Sequence, residues 1–143
     1  MKALSITRPW PALILELGKD VENRTWPTRH RGLLWTHAAR SWDPHAIAWA
    51  EQQSLIPAGV VSPDPAEHPT GIVGVVDLDN VVRDHPSPWA IPGQWHWHLT
   101  NPRPLATPVP CRGRLGLWAV PADIAARINA TRLVRVPRPG RTA

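Results

Sequence analysis

GIVGVVDLDNVVR, residues 71–83, decides the fold. It opens as a nearly continuous apolar run, the pattern of a strand buried on both faces. Polar positions enter only at Asp77, Asp79 and Asn80, and the two acids share one side of an extended chain. A central strand of this kind needs neighbours, and the sequence supplies them in both directions. Downstream, HPSPWAIPG (85–93) reads as a loop. QWHWHLTNPRPL (94–105) alternates, with Trp95 and Trp97 on one face and His96 and His98 on the other. GLWAV (116–120) reads as a last strand and PADIAARINAT (121–131) as a short helix.

Upstream, SLIPAGVVSPDPAEHPTG (54–71) is a proline-rich, acidic surface loop. DPHAIAWAEQQ (43–53) carries a helix start, with Asp43 as N-cap and Pro44 at the first position. RGLLWTHAA (31–39) and VENRTW (21–26) read as strands, the latter stopped by Pro27. In PWPALILELG, Trp10, Leu13, Ile14 and Leu17 recur at helical spacing, and Gly18 suits the stop. KALSIT (2–7) is a first strand. Five or six short strands with two or three short helices imply an α+β domain. Closure of the strands into a small barrel would remove exposed edges.

At 143 residues the chain fits one domain, predicted over 1–131, with a basic, flexible tail at 132–143. A single cysteine, Cys111, excludes an internal disulfide and an all-thiolate zinc site. The N-terminal stretch lacks an apolar signal core, and no apolar run approaches the roughly 20 residues of a membrane span. A soluble cytoplasmic protein with no membrane partner is the expectation. Net charge is +5, distributed as +3 over residues 1–50, −5 over 51–100 and +7 over 101–143. A basic end suits phosphate or a nucleic-acid backbone. Nine tryptophans with no tyrosine or phenylalanine must both fill the core and supply any base-stacking surface.

The densest chemistry lies in GKDVENRTWP, residues 18–27. If 22–24 are extended, Glu22 and Arg24 point to one face. An arginine beside an acid keeps the acid ionised, and the pair can read a base edge or a ribose while Lys19 or Arg24 meets phosphate. A desolvated Lys19 can instead act as a base or nucleophile. The plain alternative is a surface salt bridge worth about 0–1 kcal/mol. Asp77 and Asp79 form a second carboxylate pair, fit for acid–base work or for a solvated strand face. His96 and His98, with His37 or Asp77, make a weak zinc pattern, and no metal is expected. No phosphate-binding glycine loop, nucleophile elbow or dinucleotide fingerprint occurs, so no cofactor is expected.

The ordered set ALSITRPWPALIL, GKDVENRTWPTRHRGLLWTHAA, GIVGVVDLDNVV, WHWHLTNPRPL and RGRLGLWAV resembles the ASCH domain family of the PUA-like superfamily, from about Leu4 to Val120. Lys19, Glu22 and Arg24 match the family's G-x-K-x-x-E-x-R pattern, with Leu17 where its first glycine is usual. The resemblance implies a small β-barrel with flanking helices and a cleft lined by this trio. It implies RNA, DNA or a modified nucleoside as ligand, with Trp10 or Trp26 as a stacking wall. Arg29, His30 and Arg31 would face phosphates, and His37 joins the candidate ligand contacts.

One branch of the family hydrolyses acylated cytidine with a lysine, a threonine and a distant glutamate. Lys19 matches its lysine, but Glu22 stands at the threonine position and Thr25 and Thr28 fall out of register. Three readings follow. The first is a nucleic-acid or modified-nucleoside binding module. The second is an enzyme on RNA or nucleosides that uses Lys19, Glu22 and Asp77. The third is a protein-interaction module that exposes its tryptophans.

Overall fold

The computed structural model describes residues 1–134. Six strands and three α-helices follow in the order β1 (Lys2–Arg8), α1 (Trp10–Glu16), β2 (Val21–Arg24), β3 (Gly32–Trp42), α2 (Ala46–Gln52), β4 (Gly71–Val82), β5 (Trp95–Val109), β6 (Leu117–Ala119) and α3 (Ala122–Asn129). One 3-10 turn, Pro65–Glu67, interrupts the proline-rich loop before β4. The α+β PUA-like class expected from the sequence is present.

All six strands form one mixed sheet in the order β2-β5-β4-β3-β1-β6. β4 is central, antiparallel to both β3 and β5, which agrees with its apolar run. β1 lies parallel to β3, so the chain must cross over between them, and α1 belongs to that crossover. The sheet is not closed into a hydrogen-bonded barrel. β6 covers β1 only at Lys2–Leu4, and β2 covers β5 only at Trp95–His98. Residues 5–8 of β1 therefore face β2 across a seam without a strand.

β5 runs four residues past its expected end although three prolines fall within it. Pro102, Pro104 and Pro108 lie beyond the stretch that β2 pairs, where one side of β5 needs no ladder donor. Arg132, Leu133 and Val134, which the sequence assigns to the tail, run beside β5. Ala106 donates to the Arg132 carbonyl at 2.8 Å and Val134 to the Pro104 carbonyl at 2.7 Å. The remainder of the expected tail, 135–143, lies outside the described residues.

Three clusters make the core. One packs Trp35, Val75 and Trp118 against α3 through Ile128. A second sets Leu4, Ile14, Leu34, Leu78 and the fully buried Trp97 under α1. A third joins Leu13, Val21, Ala50 and Trp89 below α2. No tryptophan is fully exposed: all nine are buried or half-buried. Trp10, Trp26, Trp42, Trp49 and Trp95 are the half-buried ones and keep part of their rings at the surface.

Gly74 sets how closely α1 sits on the sheet. A Cβ there would lie 2.7 Å from Leu15 Cδ2 and 2.8 Å from the Arg103 carbonyl oxygen. The carbonyl belongs to the paired strand and cannot swing away. Gly74→Ala is expected to lower stability by about 1–3 kcal/mol, the usual cost of overpacking. A urea-unfolding midpoint unchanged from the parent protein would show that the strands part freely.

Candidate functional site

The seam opposite residues 5–8 of β1 forms a cleft. Two adjoining hollows, of about 380 Å³ and 230 Å³, share Trp10, Glu22, Asn23 and Gln94 in their walls. Ser5, Ile6 and Thr7 form one side, and β2 with Thr25 and Trp26 forms the other.

The local sequence builds the charged wall in three steps. Gly18, at φ +81°, turns the chain off α1. The Lys19 amide then returns to the Leu13 carbonyl at 3.0 Å, which tucks the Lys19 side chain under the sheet. Val21–Arg24 next extends as β2 with Val21 in the core and Glu22 and Arg24 on the other face. The expected alternation is thus observed, and the structure brings Lys19, Glu22 and Arg24 together.

Lys19 is only 4 % exposed and Glu22 only 8 %. Lys19 Nζ donates to the Val21 carbonyl at 2.5 Å and stands 3.7 Å from Glu22 Oε1. It also lies 5.3 Å from the Trp10 ring centroid, a cation–π distance. Arg24 Nη2 is 3.8 Å from Glu22 Oε2 and donates to the Ser5 carbonyl across the seam at 2.9 Å. Burial pushes the Lys19 ammonium below the usual lysine range. Glu22 opposes that shift, and Arg24 reinforces it. Desolvation wins because the cation has lost nearly all its water.

Two polar atoms of this wall remain unspent. Glu22 Oε2 and Arg24 Nε are buried and have no hydrogen-bond partner among the described residues. A buried polar atom without a partner costs about 1–3 kcal/mol, so the arrangement is poised for an incoming donor and acceptor.

Tryptophans close the rest of the cleft. Trp10 stands edge-on to Trp49, with centroids 6.0 Å apart, and Trp49 packs on Trp89 at 6.1 Å. Trp10 Nε1 donates to Asp43 Oδ2 at 3.3 Å, which fixes the ring at the mouth. Trp26 also lines the cleft, backed edge-on by Trp97.

Sequence reasoning missed Trp49, Trp89, Asn23 and Gln94. Asn23 holds the 89–91 loop in place by donating to the Trp89 carbonyl at 3.0 Å and accepting from the Ile91 amide at 2.8 Å. The excess of tryptophan was a signal, but only the fold pairs positions 49 and 89 around Lys19.

Other candidates lie elsewhere. Asp77 is not in the cleft: on β4 it accepts from Arg103 Nη2 at 2.7 Å and from Asn101 at 3.1 Å. Its carboxylate is committed to a surface arginine. Asp79 pairs with His98 at 2.6 Å. His96 spends one ring nitrogen on the Ile91 carbonyl and the other on the His85 amide. Arg29 and Arg31 are exposed in the β2–β3 loop and do not line the cleft, and Arg31 folds back on the Thr28 and His30 carbonyls. His37 is buried on the opposite side of β1 from the trio, beside Cys111. Burial pushes the Cys111 thiol up, away from a reactive thiolate.

An open PUA-like sheet with a buried Lys19–Glu22 pair and a half-buried Arg24 at its seam defines a small domain built around an ionic, tryptophan-walled cleft. The ASCH domain family model matches residues 4–109, and the chain belongs to that family. The family is linked in general to RNA binding. The chain is 26% identical over 136 residues to human (Homo sapiens) activating signal cointegrator 1. It is 25% identical over 130 residues to the mouse (Mus musculus) protein of the same name. Each match covers 85% of this chain but only 22% of the relative, so the chain spans about a fifth of those proteins. No helix among the described residues is long and apolar enough to cross a membrane.

The lowered Lys19 value has a sign that can be checked. Between that value and about 10.4, the unfolded chain holds a proton at this residue that the folded chain lacks. Stability attributable to Lys19 therefore rises with pH across that window. In urea unfolding at about pH 8 and about pH 10, the unfolding free energy of the parent protein minus that of Lys19→Met should increase with pH. A constant difference would mean that Lys19 titrates as an ordinary lysine.

Proposed function

We propose that this chain binds a nucleotide of RNA, or a modified nucleoside, in the cleft lined by Lys19, Glu22 and Arg24. One observation carries the reading: a buried carboxylate oxygen and a buried guanidinium N–H stand unpartnered in a cleft with tryptophan walls. A nucleobase edge offers a donor and an acceptor side by side, and its faces suit Trp10 and Trp26. The family's general link to RNA supports the same ligand class.

A second reading is favoured by Lys19 itself. A buried amine with a lowered pKa loses its proton more readily than a solvated lysine and so can serve as a base or nucleophile, and catalysis on the bound nucleoside is the alternative. With Asp77 held by Arg103, the carboxylates that line the cleft in that reading are Glu22 and Asp43.

Titration of tryptophan fluorescence with nucleosides, N4-acetylcytidine among them, and with short RNA and DNA oligomers tests both readings. Quenching is expected. Glu22→Gln and Arg24→Met should each weaken binding by about 1–3 kcal/mol, the usual worth of a paired base-edge contact. Trp10→Ala should cost a similar amount, about 1–3 kcal/mol, through lost stacking. Absence of quenching by every ligand overturns the binding reading. New product on chromatography that disappears in Glu22→Gln would favour the enzyme.

A further inference from the structure

A second groove, of about 760 Å³, lies on the other side of β1. Its walls come from the end of β3 and from the PCRGRLG segment (110–116) that leads into β6. Arg40, Arg112 and Arg114 line it, and no acidic side chain does. All three arginines are exposed, and none of their guanidinium groups makes a hydrogen bond or ion pair among the described residues. This differs from the other arginines of the chain's first half that serve the fold. Arg8, for example, ties four carbonyl groups together.

The floor of the groove is built. His37 is 4 % exposed and is held through Nε2, which donates to the Cys111 carbonyl at 3.0 Å. Its Nδ1 is buried and has no partner among the described residues. Gly113 closes over this floor so tightly that a Cβ would lie 2.5 Å from Ser5 Oγ and 2.6 Å from His37 Cε1. The absence of a side chain at 113 allows this close approach, and the flanking Arg112 and Arg114 are exposed and line the groove.

Ser5 joins this groove to the cleft. It lines both hollows, and its carbonyl accepts from Arg24 while its hydroxyl oxygen accepts from Trp118 Nε1 at 3.2 Å. A chain lying in the cleft therefore meets, one residue's width away, a groove with three uncompensated positive charges. A single nucleoside has no use for such a groove, whereas a polynucleotide presents a phosphate at every step.

We propose that the groove is a second anion site, one that holds a backbone phosphate of single-stranded RNA whose neighbouring nucleotide occupies the Lys19 cleft. Arg112 and Arg114 supply the charge, and His37 positions their loop. The inference rests on the proposed function and adds that the ligand is a strand rather than a free nucleoside.

The test uses fluorescence anisotropy with a labelled single-stranded RNA of about 12 nucleotides, over a range of salt, beside quenching by one nucleoside. Arg112→Ala/Arg114→Ala should weaken oligomer binding at least about tenfold at low salt. It should also flatten the log–log salt dependence by about 0.7 for each phosphate lost. Nucleoside quenching should be unchanged. Both arginines are exposed, so the variant should melt with the parent. Arg29→Ala/Arg31→Ala removes equal charge outside the groove and should have a smaller effect.

Equal losses from the two pairs would show a net-charge effect and overturn the site. Oligomer binding that Lys19→Met reduces, but the Arg112/Arg114 pair leaves intact, would overturn the groove while sparing the cleft. Oligomer binding insensitive to all the variants would overturn both, whereas no oligomer binding with nucleoside quenching intact would overturn the groove alone.

Discussion

The hydrogen bond from Arg24 Nη2 to the Ser5 carbonyl spans a gap that no strand fills. β6 is three residues long and releases β1 after Leu4, so the carbonyls and amides of the next residues need other partners on that edge. One of them receives a charged side chain from β2, at the far end of the sheet order. This bond links the two lips of the sheet and leaves room between them. Had β6 continued, the seam would be sealed by a backbone ladder and the trio would sit under it without access.

The ionic wall behind that seam is a balance of opposed terms. Burying Lys19 and Glu22 removes both from water, and their mutual attraction at 3.7 Å compensates only in part. The lysine recovers more from the Val21 carbonyl and the Trp10 ring. The carboxylate recovers one hydrogen bond, from the Asn23 amide to Oε1 at 3.0 Å. Oε2 recovers none. A fold selected for stability alone would place apolar side chains at these positions, since such swaps are often neutral or stabilising. The charges at this position add little to the fold, and the ligand proposed above would give them the partners they lack.

Legibility in the sequence divided along physical lines. β4 was clear from its continuous apolar run and the strand at 95–98 from its alternation of tryptophan and histidine, although His96 and Trp97 are both buried. The helix over 10–16 was clear from its apolar spacing, and Glu22 and Arg24 from extended geometry. The full length of β5 was hidden because three prolines read as breakers, and only the short reach of β2 makes them harmless. The open sheet was hidden because nothing in Leu117–Ala119 states that its pairing stops after three residues.

The separation of Asp77 from Lys19 and Glu22 was not legible, since its partner, Arg103, lies 26 positions later on another strand. His37 follows Trp35 on one face of β3, and that face looks toward Trp118 rather than toward Lys19. Long-range pairing decides such placements, and periodicity is blind to it.

A seam that is open along its side differs in topology from a hole. A molecule that enters a closed lumen must be small or must present an end to be threaded. A slot between two strand edges accepts a long chain broadside, at any point along its contour, and lets it go the same way. The short β6 therefore does more than leave a sheet unfinished. For a polymer ligand of the kind proposed, it would make interior stretches as reachable as the termini and remove the need to slide along one to leave it.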